Sequence, residues 1–143
     1  MKARDRQYGV IWQVQRHLYQ SLKNSAILAK NKIQIFHQIP KNTPFPYIYL
    51  GKFLVFNNSL KATPRLQLLN EIHLYAQSIP IQDILESAEA IKKSLTQENI
   101  RLEGCYIGTI SFVQMELDIL NDSKTYRVIS KYKVLVEENQ FPN

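Results

Sequence analysis

Residues 107–137, IGTISFVQMELDILNDSKTYRVISKYKVLVE, form the most regularly patterned stretch of the chain. In its first half Val113, Met115, Leu117 and Ile119 alternate with Gln114, Glu116 and Asp118. In its second half Val128, Tyr132, Val134 and Val136 face opposite to Arg127, Lys131 and Lys133. A period of two sends successive side chains to opposite faces of a strand. Between the halves, Asn121-Asp122-Ser123-Lys124 is made of turn-forming residues. The stretch therefore reads as one antiparallel hairpin, with strands at 107–120 and 125–137. Its polar face, with Glu116, Asp118, Arg127, Lys131 and Lys133, is set to pair across the hairpin and to meet solvent or a partner.

Upstream, residues 80–95 carry every signal of a helix. Pro80 stands near the first helical position, Asp83 and Glu86 lie in the first turns, and Lys92-Lys93 lie near the end, as the helix dipole favours. Ile81, Ile84, Leu85, Ala88, Ile91 and Leu95 make its apolar face. Before it, Leu66, Leu68, Ile72, Leu74 and Ala76 alternate with Gln67, Glu71, His73 and Gln77, which predicts a half-buried strand at 66–76. Residues 47–56, YIYLGKFLVF, are rich in β-branched and aromatic residues and are bounded by Pro46 and Asn57-Asn58-Ser59. They read as a strand, with Gly51 marking a bulge or bend and 60–65 as the following loop. Pro40, Pro44 and Pro46 forbid a helix in the region before it, so 33–36 reads as a short strand. At the N-terminal side Ile11, Val14, Leu18 and Leu22 form the stripe of an amphipathic helix from Tyr8, which 25–32 either continue loosely or break into a turn.

The predicted order is α-β-β-β-α-β-β. This is an α+β fold, a mainly antiparallel β-sheet with two helices packed on one face. No repeat, low-complexity segment or long linker divides it, so a single domain is expected over 1–143, with a frayed basic N-terminus at 1–7 and a disordered tail at 139–143. A chain of 143 residues that is 45% hydrophobic suits one domain, since this size buries about 68% of its unfolded surface without a disulfide or metal staple. Apolar runs such as 47–50 and 53–56 are four residues long, against the roughly 20 that cross a bilayer. The expectation is a soluble protein with no membrane partner.

The net charge of +6 is uneven. Residues 1–46 carry eight cations against Asp5 alone, or +7, and the rest of the chain is −1. Such a segment is a solvated helix face, or else a surface for DNA or an acidic protein. Catalytic patterns are missing: there is no G-x-S-x-G, no G-x-x-x-x-G-K-[ST], no H-E-x-x-H and no C-x-x-C. His17, His37 and His73 stand apart from one another and read as packed or hydrogen-bonded residues, and the one cysteine, Cys105, reads as structural. Glu86 and Glu89 lie on the solvated face of the second helix. No catalytic, cofactor-binding or metal site is expected, and no cofactor. The function then lies in binding or assembly.

One pair of motifs is more specific. Phe36-His37-Gln38-Ile39-Pro40, followed by Phe45-Pro46-Tyr47-Ile48-Tyr49-Leu50-Gly51, resembles the signature of the tailed-phage tail terminator or tail completion family, which includes prophage and gene transfer agent members. The element order over about 8–138 matches too, although Tyr75-Ala76-Gln77-Ser78 fits more loosely and the basic lead 2–6 lies outside the pattern. Phe36, Pro40, Phe45, Pro46, Tyr47 and Gly51 are the motif residues, and their proline and glycine content points to an architectural role. The resemblance implies a structural protein that assembles as a homo-oligomeric ring, typically a hexamer, on the completed tail tube. It stops tube growth and presents a surface to the head–tail connector protein. The implied partners are the tail tube protein, the connector and, only transiently through the channel, DNA. The implied location is the bacterial cytoplasm during assembly and then the phage-like particle. The hairpin and the loop 57–65 are expected to make the subunit and tube contacts, with Lys61, Arg65, Lys131 and Lys133 meeting acidic neighbours. The alternatives are a head-completion or connector protein of the same particle, and a small basic DNA-binding protein using residues 2–32.

Overall fold

A computed structural model describes residues 3–60 and 63–138. Nine elements follow one another: α1 (Ala3–Lys23), α2 (Ala26–Lys30), β1 (Gln34–Phe36), β2 (Tyr47–Asn57), β3 (Arg65–Gln77), α3 (Ile81–Leu95), β4 (Gln97–Leu102), β5 (Cys105–Ile119) and β6 (Thr125–Glu138). They build one six-stranded sheet in the order β1-β2-β3-β6-β5-β4. Every neighbouring pair is antiparallel except β1 and β2, which run parallel. The α+β class and the mainly antiparallel sheet are as expected. The sheet is nonetheless mixed, there are three helices in place of two, and a sixth strand is added.

Each difference has a local cause. The N-terminal helix stops at Lys23 because Ser25 caps a new one, its hydroxyl accepting a hydrogen bond from the Leu28 backbone N–H at 3.3 Å. This short helix plants Leu28 in the core. The parallel pairing follows from the proline-rich connection at 37–46, which is long enough to carry the chain back before β2 begins. Strand β4 escapes notice because it is short and largely exposed. Its signal is the Glu103-Gly104 turn, with Gly104 at φ +81, which brings Leu102 opposite Cys105.

The core lies between the helices and one face of the sheet. Val10, Val14, Leu18 and Leu22 of α1 and Ile84, Ala88, Ile91 and Leu95 of α3 are buried against Leu68, Ile72 and Leu74 of β3 and Val128, Tyr132, Val134 and Val136 of β6. Ile81 and Leu85, expected on the same apolar face of the helix, are exposed instead. A buried polar contact crosses this layer, where the Asn70 side-chain amide donates to the Gln15 carbonyl oxygen at 2.9 Å. His17 also ties layers together, its Nε2 lying 2.9 Å from Gln97 Oε1 while the Gln97 amide donates to Ser21 Oγ at 3.0 Å. Interface packing, the most expected of this histidine, becomes a link between α1 and the start of β4.

Bulges interrupt the alternation. The register shifts between Leu50 and Phe53 in β2, at the expected glycine, and also between Ile107 and Thr109 and between Phe112 and Gln114 in β5. The last shift takes Val113 out of the row it was expected to share with Met115, Leu117 and Ile119. Those three stand opposite Ser130, Val128 and Tyr126 on the helix side of the sheet. Leu117 packs on the core, but Met115 and Ile119 are 41% and 50% exposed.

Candidate assembly surfaces

The face of the sheet turned away from the helices is built by odd-numbered residues of β3 and β6. The motif residues collect at one corner of it. Phe45 stacks on Tyr47 with ring centroids 5.4 Å apart, Tyr47 stacks on Tyr75 at 5.2 Å, and Phe36 meets the Tyr47 ring edge-on at 6.3 Å. Burial, with the neighbouring Tyr75 phenol as a second cause, holds the Tyr47 phenol above its ordinary pKa. The Phe45–Pro46 peptide is cis. Pro40 lies in the loop before this corner, its carbonyl accepting a hydrogen bond from the Thr43 hydroxyl at 2.6 Å. The structure thus brings Phe36, Phe45, Pro46 and Tyr47 into one aromatic corner, with Pro40 apart.

Gly51 serves the next row. A Cβ at this position would lie 2.9 Å from the His73 ring and 3.3 Å from the Glu71 carbonyl oxygen, so glycine is what lets the imidazole lie across β2. His73 is held there by Glu71, whose Oε1 is 3.0 Å from Nε2, and by the Tyr75 hydroxyl 3.3 Å from Nδ1. Lys52 completes the cluster, 3.8 Å from Glu71. Further along the face Arg127 binds Asp118 at 3.0 Å, one pair from the polar face that was expected to pair across the hairpin. Lys131 and Lys133 are half-buried on the same face and make no ion pair among the described residues. Arg65 reaches Glu137 across β3 and β6 at 3.0 Å, so its charge is already matched. Lys61 lies outside the described residues. The four cations expected at an interface are therefore not one cluster.

Other residues singled out in the sequence fall on packing. His37 stacks on Tyr19 at 5.1 Å and lies 5.8 Å from Trp12, and desolvation lowers its pKa. Cys105 is buried, and burial pushes its thiol up to about 11, away from reactivity at neutral pH.

The longest run of exposed apolar residues among the described residues was not identified as a surface from the sequence. Phe53, Leu54, Val55 and Phe56, with Leu60 beyond them, stand on an arm formed by the outer half of β2, the start of β3 and their connection. Asn57 Oδ1 accepts from the Ser59 N–H at 3.1 Å and Ser59 Oγ accepts from the Arg65 N–H at 3.1 Å, which holds the base of that connection closed. The available signal was the unbroken apolar run 53–56. A strand apolar on both sides needs two covering layers, and this fold has one. Contiguous exposed apolar surface of this kind marks a site for another protein.

Comparison with known proteins places the chain in a family. The family described as Tail completion protein gp17 matches residues 13–137, nearly the whole chain. Among solved structures, a chain from the virion of a native gene transfer agent particle superposes with a TM-score of 0.79 at 19% identity, covering 91% of this chain and 98% of that one, and so shares its fold. No curated protein matches significantly. The chain therefore belongs to the tail completion protein family, and its role is structural, in a phage-type tail, and not enzymatic.

Proposed function

We propose that this protein caps the completed tail tube as a ring, a hexamer by the family resemblance, and offers its other side to the head–tail connector. The observation that carries this reading is the exposed apolar arm, 53–56 with Leu60, on a chain of the tail completion family. A free monomer gains nothing from such an arm, whereas a ring of copies seated on a tube has neighbours to cover it. The likeness to a chain of a gene transfer agent virion supports a place in a phage-like particle, and we extend that reading to assembly in the bacterial cytoplasm. The corner made by Phe36, Phe45, Pro46 and Tyr47, with Gly51 beside it, is architectural in this reading. Lys131 and Lys133 meet acidic neighbours, and so does Lys61, which lies outside the described residues, whereas Arg65 would have to exchange its contact with Glu137 to do the same. DNA passes the channel without being held.

Tail length in particle-producing cells lacking the gene is the test. Abnormally long or headless tails, restored by the gene in trans, are expected, and tails of normal length joined to heads would overturn the reading. Charge reversal of both open-face lysines, Lys131→Glu with Lys133→Glu, should weaken docking to purified tubes and leave the unfolding midpoint nearly unchanged. Undiminished docking would remove these two residues from the interface.

A further inference from the structure

Two strands of the sheet have an outer edge that is paired along only part of its length. On one side β1 reaches Tyr47, Ile48 and Tyr49, so among the described residues the outer edge of β2 is unpaired over 50–57. On the other side β4 reaches 105–110, so among the described residues the outer edge of β5 is unpaired over 111–119. The register puts these free edges at diagonally opposite corners. Asn57 stands in line with Leu66, Val136 and Ile107 at one end of the sheet, and Ile119 with Tyr126 and Ala76 at the other.

Strand directions make the two edges fit each other. Three successive antiparallel pairings separate β2 from β5, so the two strands run in opposite directions. A second copy displaced within the plane of the sheet would therefore set its β2 antiparallel to the first copy's β5, with the helices of both on the same face. The blocking strands become stops: β4 of the first copy lies past the end of the shared ladder on one side, and β1 of the second on the other.

We propose that the outer half of β5 in one copy pairs antiparallel with the outer half of β2 in a second copy, joining subunits head to tail through one continuous sheet. The proposal rests on the ring reading above and names the contact that builds the ring. Bulge-free runs of similar length are available, 114–119 on β5 and 53–57 on β2. Both edges carry exposed apolar residues, Met115 and Ile119 on one and Phe53 and Val55 on the other, and by register all four lie on the helix side. Charge separates this pairing from its rivals. The β5 edge carries Glu116 and Asp118 and no cation, while the β2 edge carries Lys52 and no carboxylate; Asp118 already pairs with Arg127 and Lys52 lies 3.8 Å from Glu71, so Glu116 is the carboxylate without an ion pair among the described residues. Joining β5 to β5 sets carboxylates against carboxylates, and joining β2 to β2 leaves no opposite charge to meet, whereas β5 with β2 brings opposite signs to one face. Neither edge has a proline, and the bulges lie at the inner ends of the free edges, between Leu50 and Phe53 and between Phe112 and Gln114, so 53–57 and 114–119 stay open to strand addition. A head-to-tail contact of this kind closes into a ring when its rotation permits.

Cysteine cross-linking tests the pairing. One variant carries Val55→Cys and another Met115→Cys, and both are co-expressed in particle-producing cells that lack the gene and then treated with a short bis-maleimide. Native Cys105 is buried and stays out of the reaction. The expected result is an adduct between the two variants, and a ladder of higher oligomers from one chain carrying both substitutions. Adducts formed only within one variant would overturn the proposal in favour of a two-fold contact. Absence of adducts alongside restored tail length would overturn it while leaving the terminator reading intact. Mixed adducts without any effect of the gene on tail length would uphold the pairing and remove the terminator reading. Phe53→Lys, added to the chain that carries both cysteines, is a further variant whose native fold can be checked by its unfolding midpoint, and it should lose the ladder while staying folded.

Discussion

The two halves of β2 share a strand and a composition but not an environment. In 47–50, Ile48 and Leu50 are buried under the helices, and Tyr47 and Tyr49 pack into the aromatic corner on the opposite face. In 53–56 four apolar side chains in succession are exposed, Phe56 by 45%. The β5 strand repeats the contrast in reverse, with Ile107 and Ile110 fully covered and Met115 and Ile119 open. Hydrophobicity therefore does not by itself distinguish core from contact surface. What differs is whether a helix layer and a neighbouring strand reach that half, and the halves left uncovered are those suited to another chain.

Substitutions separate the two kinds of half by their effect on stability. Leu68→Ala, at a fully buried position facing the helices, should lower the unfolding free energy by about 2–5 kcal/mol. Phe56→Ser should stay within about 0.5 kcal/mol of the parent yet fail to restore tail length. Urea denaturation of both variants checks this, and a large loss for Phe56→Ser would show the arm to be part of the folding core. At the junction between the halves, Gly51→Ala forces the His73 ring from its place against Glu71 and should cost about 1–3 kcal/mol. Adding His73→Ala should recover most of that cost, because the clash is with the ring; no recovery would move the cause to the Glu71 carbonyl.

The smallest expected effect sits in the turn that ends the open half of β5. Hydrogen bonds from the Thr125 hydroxyl and from the backbone N–H groups of Lys124 and Thr125 hold the Asp122 carboxyl down to about 2 from an ordinary 3.8. A carboxylate lowered in the folded state contributes stability above its unfolded pKa and loses it as pH falls through the folded one. Asp122→Asn should therefore flatten the acid limb of stability between about pH 4 and pH 2 and hardly alter assembly. An unchanged acid limb in thermal melts would assign that limb to other carboxylates.

Much of this was legible in the residues because it rests on local rules. Alternation in 66–76 and 125–137 marked strands whose buried rows are as expected, the residues flanking 81–95 marked the helix ends, and Gly51 marked a bulge. The proline-rich motif pointed to the family before any contact was known. Less legible were α2, which depends on a single serine cap, and β4, whose short exposed segment has little hydrophobic signal. The face taken by Val113 also escaped, since a bulge shifts the row without any glycine or proline to announce it.

Period, capping and turn chemistry act over a few residues, and they were enough to determine from sequence the α+β class and most element bounds, while the family was legible only through the resemblance of the motif at 36–51. The tertiary structure alone decided that β1 lies parallel to β2, that β1 and β4 stop halfway along their neighbours, and that 53–56 and 113–119 are left open. Those outcomes depend on how far one strand reaches along another and on where the helix layer ends. Both are relations between segments distant in the chain, and no local pattern of residues encodes them.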